Sequence, residues 1–134
     1  MRLTRTSDTQ VPMSEEKPRI RVLVVDDDTD YAALLAERLQ REGHEVHTAS
    51  DAESAILELV TVWPDIAIVD IGLPVVDGYE LAERFRKVGH CKLIALSGYS
   101  AASARTDTVV TSFDRHLIKP VNVSALLQAI HDLS

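Results

Sequence analysis

A single cysteine, Cys91, leaves the chain without any possible internal disulfide. That usage suits a reducing cytoplasm, the expected location. No apolar run approaches the length of a membrane span, and residues 1–19 lack the apolar centre of a signal peptide, so no membrane partner is expected. Positive charge is scarce. Fourteen Lys and Arg face 21 Asp and Glu, a net charge of −7. That balance argues against a nucleic-acid surface, and no nucleic acid is expected as a partner. There is no glycine-rich nucleotide loop and no Gly-x-Ser-x-Gly nucleophile elbow. Low-complexity segments are missing too. What is present suits one globular domain with an ample core: 46% hydrophobic and 26% charged residues.

Residues 1–19 are polar, carry Pro12 and Pro18, and read as a disordered N-terminal tail. Met13 lies within it and is a candidate true start, which would make residues 1–12 an upstream extension. Residues 20–134 alternate strand and helix five times. Strands are expected at 20–25, 45–49, 65–69, 92–96 and 115–118. The first helix, 30–42, carries Tyr31, Leu34, Leu35 and Leu39 on one face and ends at Gly43. Ser50-Asp51-Ala52-Glu53 forms a capping-box pattern opening the second, with an apolar stripe of Ala52, Ala55, Ile56, Leu59 and Val60. Asp77 caps the third, which turns Leu81, Ala82, Phe85 and Val88 inward. The fourth, over 99–112, is rich in Ser and Thr and has low helix propensity. The fifth starts near Asn122 and buries Val123, Leu126, Leu127, Ile130 and Leu133. Five βα units of this kind give an α/β fold with a doubly wound parallel sheet.

The strands are continuously apolar and β-branched, the mark of strands buried on both faces. Four of them run into polar residues. Val22-Leu23-Val24-Val25 meets Asp26-Asp27-Asp28, and Ile66-Ala67-Ile68-Val69 meets Asp70. Leu93-Ile94-Ala95-Leu96 meets Ser97, and His116-Leu117-Ile118 meets Lys119-Pro120. Open α/β sheets bind ligands outside the carboxyl ends of their strands. Carboxylates, a hydroxyl and an amine should therefore converge on one edge. Such a set suits a hard cation, a phosphoryl group and an Asp able to accept it.

The motifs VLVVDDD, IAIVDIGLPVVDGYEL, LIALSG and HLIKPV, in this order at strand ends, resemble the receiver domain of two-component response regulators. The stretch from Asp70 to Arg86 also looks like the receivers attached to hybrid histidine kinases. The resemblance implies a flavodoxin-like fold with strand order 2-1-3-4-5, Mg²⁺ binding, and phosphorylation by a histidine kinase or histidine phosphotransfer protein. By the same resemblance Asp70 is the phosphoacceptor. Asp27, Asp70 and the backbone carbonyl of Gly72 ligate the metal, and Asp26 acts mostly through a bound water. Lys119 pairs with Asp70 at rest and with a phosphoryl oxygen afterwards. The Lys119–Pro120 bond is of a kind often cis in this family. Ser97 donates to the phosphoryl group, and His116 takes the place of a switching aromatic. Gly72 and Tyr99 hold positions that tune the phosphoryl lifetime. The output face is formed by helix 4, strand 5 and helix 5, and a donor would dock beside helix one, where Ala32, Ala33 and Ala36 permit close approach. The downstream protein target is unknown; the expected state is a monomer or a weak phosphorylation-dependent dimer.

Physical chemistry supports the acidic set. Two carboxylates about 4 Å apart repel by about 4 kcal/mol at an effective dielectric of about 20. A cation relieves that, and without one the three Asp should titrate together with at least one pKa raised. Asp28 and Asp30 read as helix caps. His44 and His47 do not read as a metal pair, because a turn and a strand would not hold them together. Cys91 reads as a core-edge residue, Trp63 as packing at the end of the second helix, and Tyr79 and Phe85 as packing of the third. The chain is not expected to be an enzyme beyond acting on its own Asp. Two rival readings are a receiver-like binding module that works without phosphorylation and a metal-dependent phosphatase.

Overall fold

The computed structural model describes residues 19–73, 78–89, 91–98 and 113–134, without the side chain of Tyr79. Residues 1–18 of the expected tail, Asp77, the fourth helix and Tyr99 lie outside the described residues. The described elements run β1 (Arg21–Val25), α1 (Thr29–Arg41), β2 (Glu45–Ala49), α2 (Ala52–Val62), β3 (Ile66–Asp70), α3 (Gly78–Val88), β4 (Lys92–Ser97), β5 (Arg115–Ile118) and α4 (Val123–Leu133). The last is the helix expected as the fifth. All strands pair in parallel, in the order β2-β1-β3-β4-β5. The expected order 2-1-3-4-5 is the observed one.

Side-chain alternation along the strands divides the core in two. Leu23, Val25, Ala67, Val69, Leu93 and Ala95 pack with Ala55 and Leu59 of α2 and Leu81, Ala82 and Phe85 of α3. Val22, Val24, Ile66, Ile68, Ile94 and Leu96 pack with Ala32, Leu35 and Leu39 of α1 and Leu126, Ala129 and Ile130 of α4. With helices on both sides, neither face of the inner strands meets water. This is why these strands read as unbroken apolar runs.

Several expected details are corrected. The buried face of α1 is Ala32, Leu35, Ala36 and Leu39, an i, i+3, i+4, i+7 stripe, while Leu34 is exposed. Ala32 and Ala36 thus face the sheet and cannot receive a docking helix; Ala33 alone of the three is exposed. The capping box of α2 lies one residue later than expected. Asp51 accepts the Ser54 N–H at 2.8 Å and its own N–H meets Ser54 Oγ at 3.4 Å, because the first helical residue is Ala52. Val60 and Val88 are exposed, lying outside the stripes that reach the core. Trp63 is exposed as well; it ends α2 in the left-handed region at φ 55 and donates its N–H to Leu59. Asp28 caps α1 by accepting the Tyr31 N–H at 3.1 Å. Asp30 is not a cap but sits in the first turn, where its charge suits the helix dipole. Asn122 caps α4 through the Ala125 N–H, and Val123 there is only partly buried.

Gly78 fixes how α3 starts. A Cβ there would lie 2.5 Å from Ile71 Cα and 2.8 Å from the Asp70 carbonyl oxygen. The helix begins in direct contact with the backbone that carries Asp70, and only glycine permits that approach.

Candidate acidic site at the carboxyl edge of the sheet

β3 and β4 end on Asp70 and Ser97, while Asp26 and Lys119 each follow the last residue of β1 and β5. Because the strands are parallel and in close register, these four come to one edge. Asp26, Asp70 and Ser97 are buried, whereas Asp27 is exposed.

The ammonium of Lys119 bridges two carboxylates. Its Nζ lies 2.7 Å from Asp26 Oδ2 and 3.3 Å from Asp70 Oδ2. The resting pair expected with Asp70 is present, but the contact with Asp26 is the shorter. The Lys119–Pro120 peptide bond is cis, as the resemblance suggested. The Lys119 N–H donates to the Ser97 carbonyl at 2.7 Å, which ties the end of β5 to that of β4. Tyr31 adds a hold that sequence reasoning missed. Its ring centroid lies 5.0 Å from Lys119 Nζ, and its hydroxyl accepts the Val121 N–H at 2.9 Å. Position 31 read only as part of an apolar stripe, and nothing in the spacing linked it to residue 121.

The carboxylates are held by their own loops. Asp26 Oδ1 accepts the Asp28 N–H and Asp70 Oδ1 accepts the Gly72 N–H, both at 2.9 Å. Burial pushes the Asp26 carboxyl above its ordinary range; the ammonium and the Asp28 N–H counter this without cancelling it, and the charge on Asp70 adds to it. Burial alone would lower Lys119, but the facing carboxylates of Asp26 and Asp70 outweigh it and the net shift is upward.

A divalent cation fits this set. Asp26, Asp27 and Asp70 each present one carboxylate oxygen within 4.8 Å of the others. Magnesium takes oxygen ligands at about 2.0–2.1 Å in an octahedron, so opposite ligands stand about 4 Å apart. Asp26 Oδ2 is buried, and its ion pair with Lys119 leaves it without a well-directed hydrogen bond. Such an atom gains most from a cation. Among the described residues, these three Asp are the one cluster of three or more His, Cys, Asp or Glu able to share an ion. His44 is buried with Nδ1 accepting the Ile20 N–H, and His47 sits between Glu45 at 2.8 Å and Glu58 at 3.6 Å. The two are engaged separately, as expected.

Ser97 and His116 meet directly, with Oγ and Nε2 2.8 Å apart. The register explains it. His116 pairs with Ala95 across β4 and β5, so it shares a sheet face with Ala95 and Ser97. Burial lowers the pKa of the His116 ring.

No described helix is long and apolar enough to cross a membrane. Comparison with known proteins gives a consistent result. Residues 22–131 match the response regulator receiver domain. The uncharacterized transcriptional regulatory protein YrkP of Bacillus subtilis is 35% identical over 106 residues, covering 79% of this chain and 46% of that protein. The transcriptional regulatory protein PrrA of Mycobacterium leprae is 33% identical over 114 residues, 84% of this chain and 49% of that one. The chain therefore spans about half the length of these relatives. Among solved structures, a CheY-like response regulator receiver domain protein from Methanospirillum hungatei superposes with a TM-score of 0.78 at 31% identity, covering 86% of this chain and 93% of that one. A signal receiver domain from Bermanella marisrubri gives 0.76 at 34%, covering 84% and 96%. With the sheet order, the acidic edge and these matches in agreement, the chain belongs to the response regulator receiver domain family.

Proposed function

We propose that this domain accepts a phosphoryl group on Asp70 from a histidine kinase or histidine phosphotransfer protein and passes the change to a protein partner. The observation that carries this reading is the Lys119 ammonium set between two carboxylates, 2.7 Å from Asp26 and 3.3 Å from Asp70. A carboxylate oxygen of Asp70 attacks phosphorus, the donor imidazole leaves, and an acyl phosphate results. In phosphoryl transfer the protein mainly positions groups and neutralises charge. Lys119 is placed to follow the negative charge from the carboxylate to a phosphoryl oxygen. Ser97, at the neighbouring strand end, supplies a hydroxyl donor.

Asp27, Asp70 and the Gly72 carbonyl would hold Mg²⁺, with Asp26 acting through a bound water. When bound, the ion neutralises charge on the phosphoryl oxygens. The domain acts on its own Asp only and turns over no separate substrate. Gly72 offers no side chain to cover the phosphoryl group, and Tyr99 is proposed to tune its lifetime. The output face comprises β5, α4 and the 99–112 segment that precedes them. With a net charge of −7 over the whole chain, it is proposed to meet proteins rather than nucleic acid, as a monomer or a weak phosphorylation-dependent dimer, in the cytoplasm.

The test is intact mass after incubation with Mg²⁺ and acetyl phosphate, for wild type and Asp70→Asn. A phosphoryl-sized gain in wild type only, abolished by chelator, is the expected result. An equal gain in Asp70→Asn would reject Asp70 as the acceptor.

A further inference from the structure

Ser97 is fully buried, and its hydroxyl has one proton to give. Among the described residues its side chain has one hydrogen-bond partner, Nε2 of His116 at 2.8 Å. A buried hydroxyl proton needs an acceptor, and here the imidazole supplies it. Burial holds the His116 ring toward its neutral form, which keeps one ring nitrogen free to accept. Satisfying the buried hydroxyl in this way assigns the resting bond as Ser97 Oγ–H to Nε2, with the ring proton on Nδ1.

That arrangement conflicts with the role of Ser97 in the proposed phosphorylated state. A hydroxyl cannot give one proton to both an imidazole and a phosphoryl oxygen. If it donates to the phosphoryl group, its lone pairs face Nε2, and two acceptors would then confront each other across 2.8 Å. A proton on Nε2 removes the conflict and lets the hydroxyl donate more strongly, since hydrogen bonds in a chain polarise one another.

We propose that the Ser97–His116 hydrogen bond reverses its direction when Asp70 is phosphorylated, His116 changing from acceptor to donor. His116 is thus a positioning residue that acts through Ser97. Atoms balance without a further reactant. The Ser97 proton turns from Nε2 to the phosphoryl oxygen, Nε2 gains a proton from water, and Nδ1 loses one to water. The ring is only partly buried, so exchange with solvent is open to it. The inference rests on Asp70 being the acceptor, and it adds a sensor on β5 that reads the hydroxyl through a proton rather than through ring size.

The experiment follows the His116 ring nitrogens by ¹H–¹⁵N correlation in the full labelled chain with Mg²⁺, before and after acetyl phosphate, with phosphorylation measured by intact mass on the same sample. The expected result is the Nδ1–H form at rest and the Nε2–H form after phosphorylation. Ser97→Ala, phosphorylated to a mass-verified extent, is expected to lose that shift, because the hydroxyl that links the two groups is gone. An unchanged Nδ1–H form in phosphorylated wild type overturns the inference and leaves Asp70 as acceptor. A shift that persists in Ser97→Ala overturns it too. A sample that gains no phosphoryl mass from acetyl phosphate or from a panel of phosphorylated histidine phosphotransfer proteins removes the functional reading and this inference together, and the mass record separates that case from the other two.

Discussion

Lys119 Nζ stands closer to Asp26 Oδ2, at 2.7 Å, than to Asp70 Oδ2, at 3.3 Å. Lys119 is thus engaged mainly with Asp26 and only secondarily with Asp70. It acts at rest as a built-in cation that balances the acids Mg²⁺ would also balance.

Removing that ammonium should therefore tighten metal binding while loosening the fold. Lys119→Met keeps the length of the side chain and deletes the charge. In chelator, the loss of a partly exposed pair is expected to cost about 1–3 kcal/mol, below the roughly 3–5 of a fully buried one. Mg²⁺ should bind several-fold more tightly because a competing cation is gone. Urea unfolding with and without Mg²⁺, together with a titration of the metal, reads both. An unchanged Mg²⁺ affinity would show that lysine and metal do not compete.

Asp26 should behave as an acid that the metal-free fold tolerates at a cost. Its folded-state pKa is raised, first by burial, so the folded protein holds this proton at pH values where the unfolded chain has released it. Stability contributed by that proton is complete below the unfolded value of 3.8 and is lost as pH rises through the higher folded value. At pH 7 the ionised carboxylate is a net burden. Asp26→Asn preserves the oxygen that accepts the Asp28 N–H and removes the charge. It is expected to stabilise the metal-free domain by about 1 kcal/mol, raising Tm by about 2–8 °C for a domain of this size. The gain should shrink when Mg²⁺ is added. Thermal unfolding at pH 7 with chelator and with Mg²⁺ makes the comparison, and a lower Tm for the variant in chelator would contradict it.

Much of this site was legible because parallel strands impose it. Once Val22–Val25, Ile66–Val69 and Leu93–Leu96 are recognised as strands buried on both sides, their ends must share an edge, and Asp26, Asp70 and Ser97 follow. Side-chain detail was less legible. Leu34 read as core and proved exposed, because a stripe of Ala32, Leu35, Ala36 and Leu39 fits the sheet better than one that includes it. Small residues gave no hydrophobic signal, although they let α1 lie close. Tyr31 meets Val121 from 90 residues away, a contact no local pattern encodes. The His116–Ser97 bond was within reach of the sequence only through register: two strands paired so that 116 faces 95 leave 97 as its diagonal neighbour.

Gly78 should tolerate no side chain. A methyl group 2.5 Å from Ile71 Cα and 2.8 Å from the Asp70 carbonyl meets backbone that has no rotamer to change. Gly78→Ala must move α3 or the end of β3. A cost of about 1–3 kcal/mol is expected from such overpacking. The displaced Asp70 backbone should also slow phosphorylation by acetyl phosphate several-fold at a temperature where the variant is folded. Near-wild-type Tm with wild-type phosphorylation kinetics would mean that the loop before α3 absorbs the methyl group freely.

Cys91 should be chemically silent in the folded domain. Burial pushes its thiol up to about 11, and the side chain packs in the core between α2, α3 and the sheet. At pH 8 the thiolate fraction is then about one in a thousand, against roughly one in four for an ordinary thiol of pKa about 8.5. Since the thiolate is the reacting form, alkylation by iodoacetamide should run at least about a hundredfold slower in native protein than in urea-unfolded protein. The same experiment reports on the fold: native-state labelling proceeds through opening of the core, so its rate should rise in Gly78→Ala in step with the lost stability. Fast labelling of native wild type at pH 8 would show that the edge between α3 and β4 opens far more readily than its packing indicates.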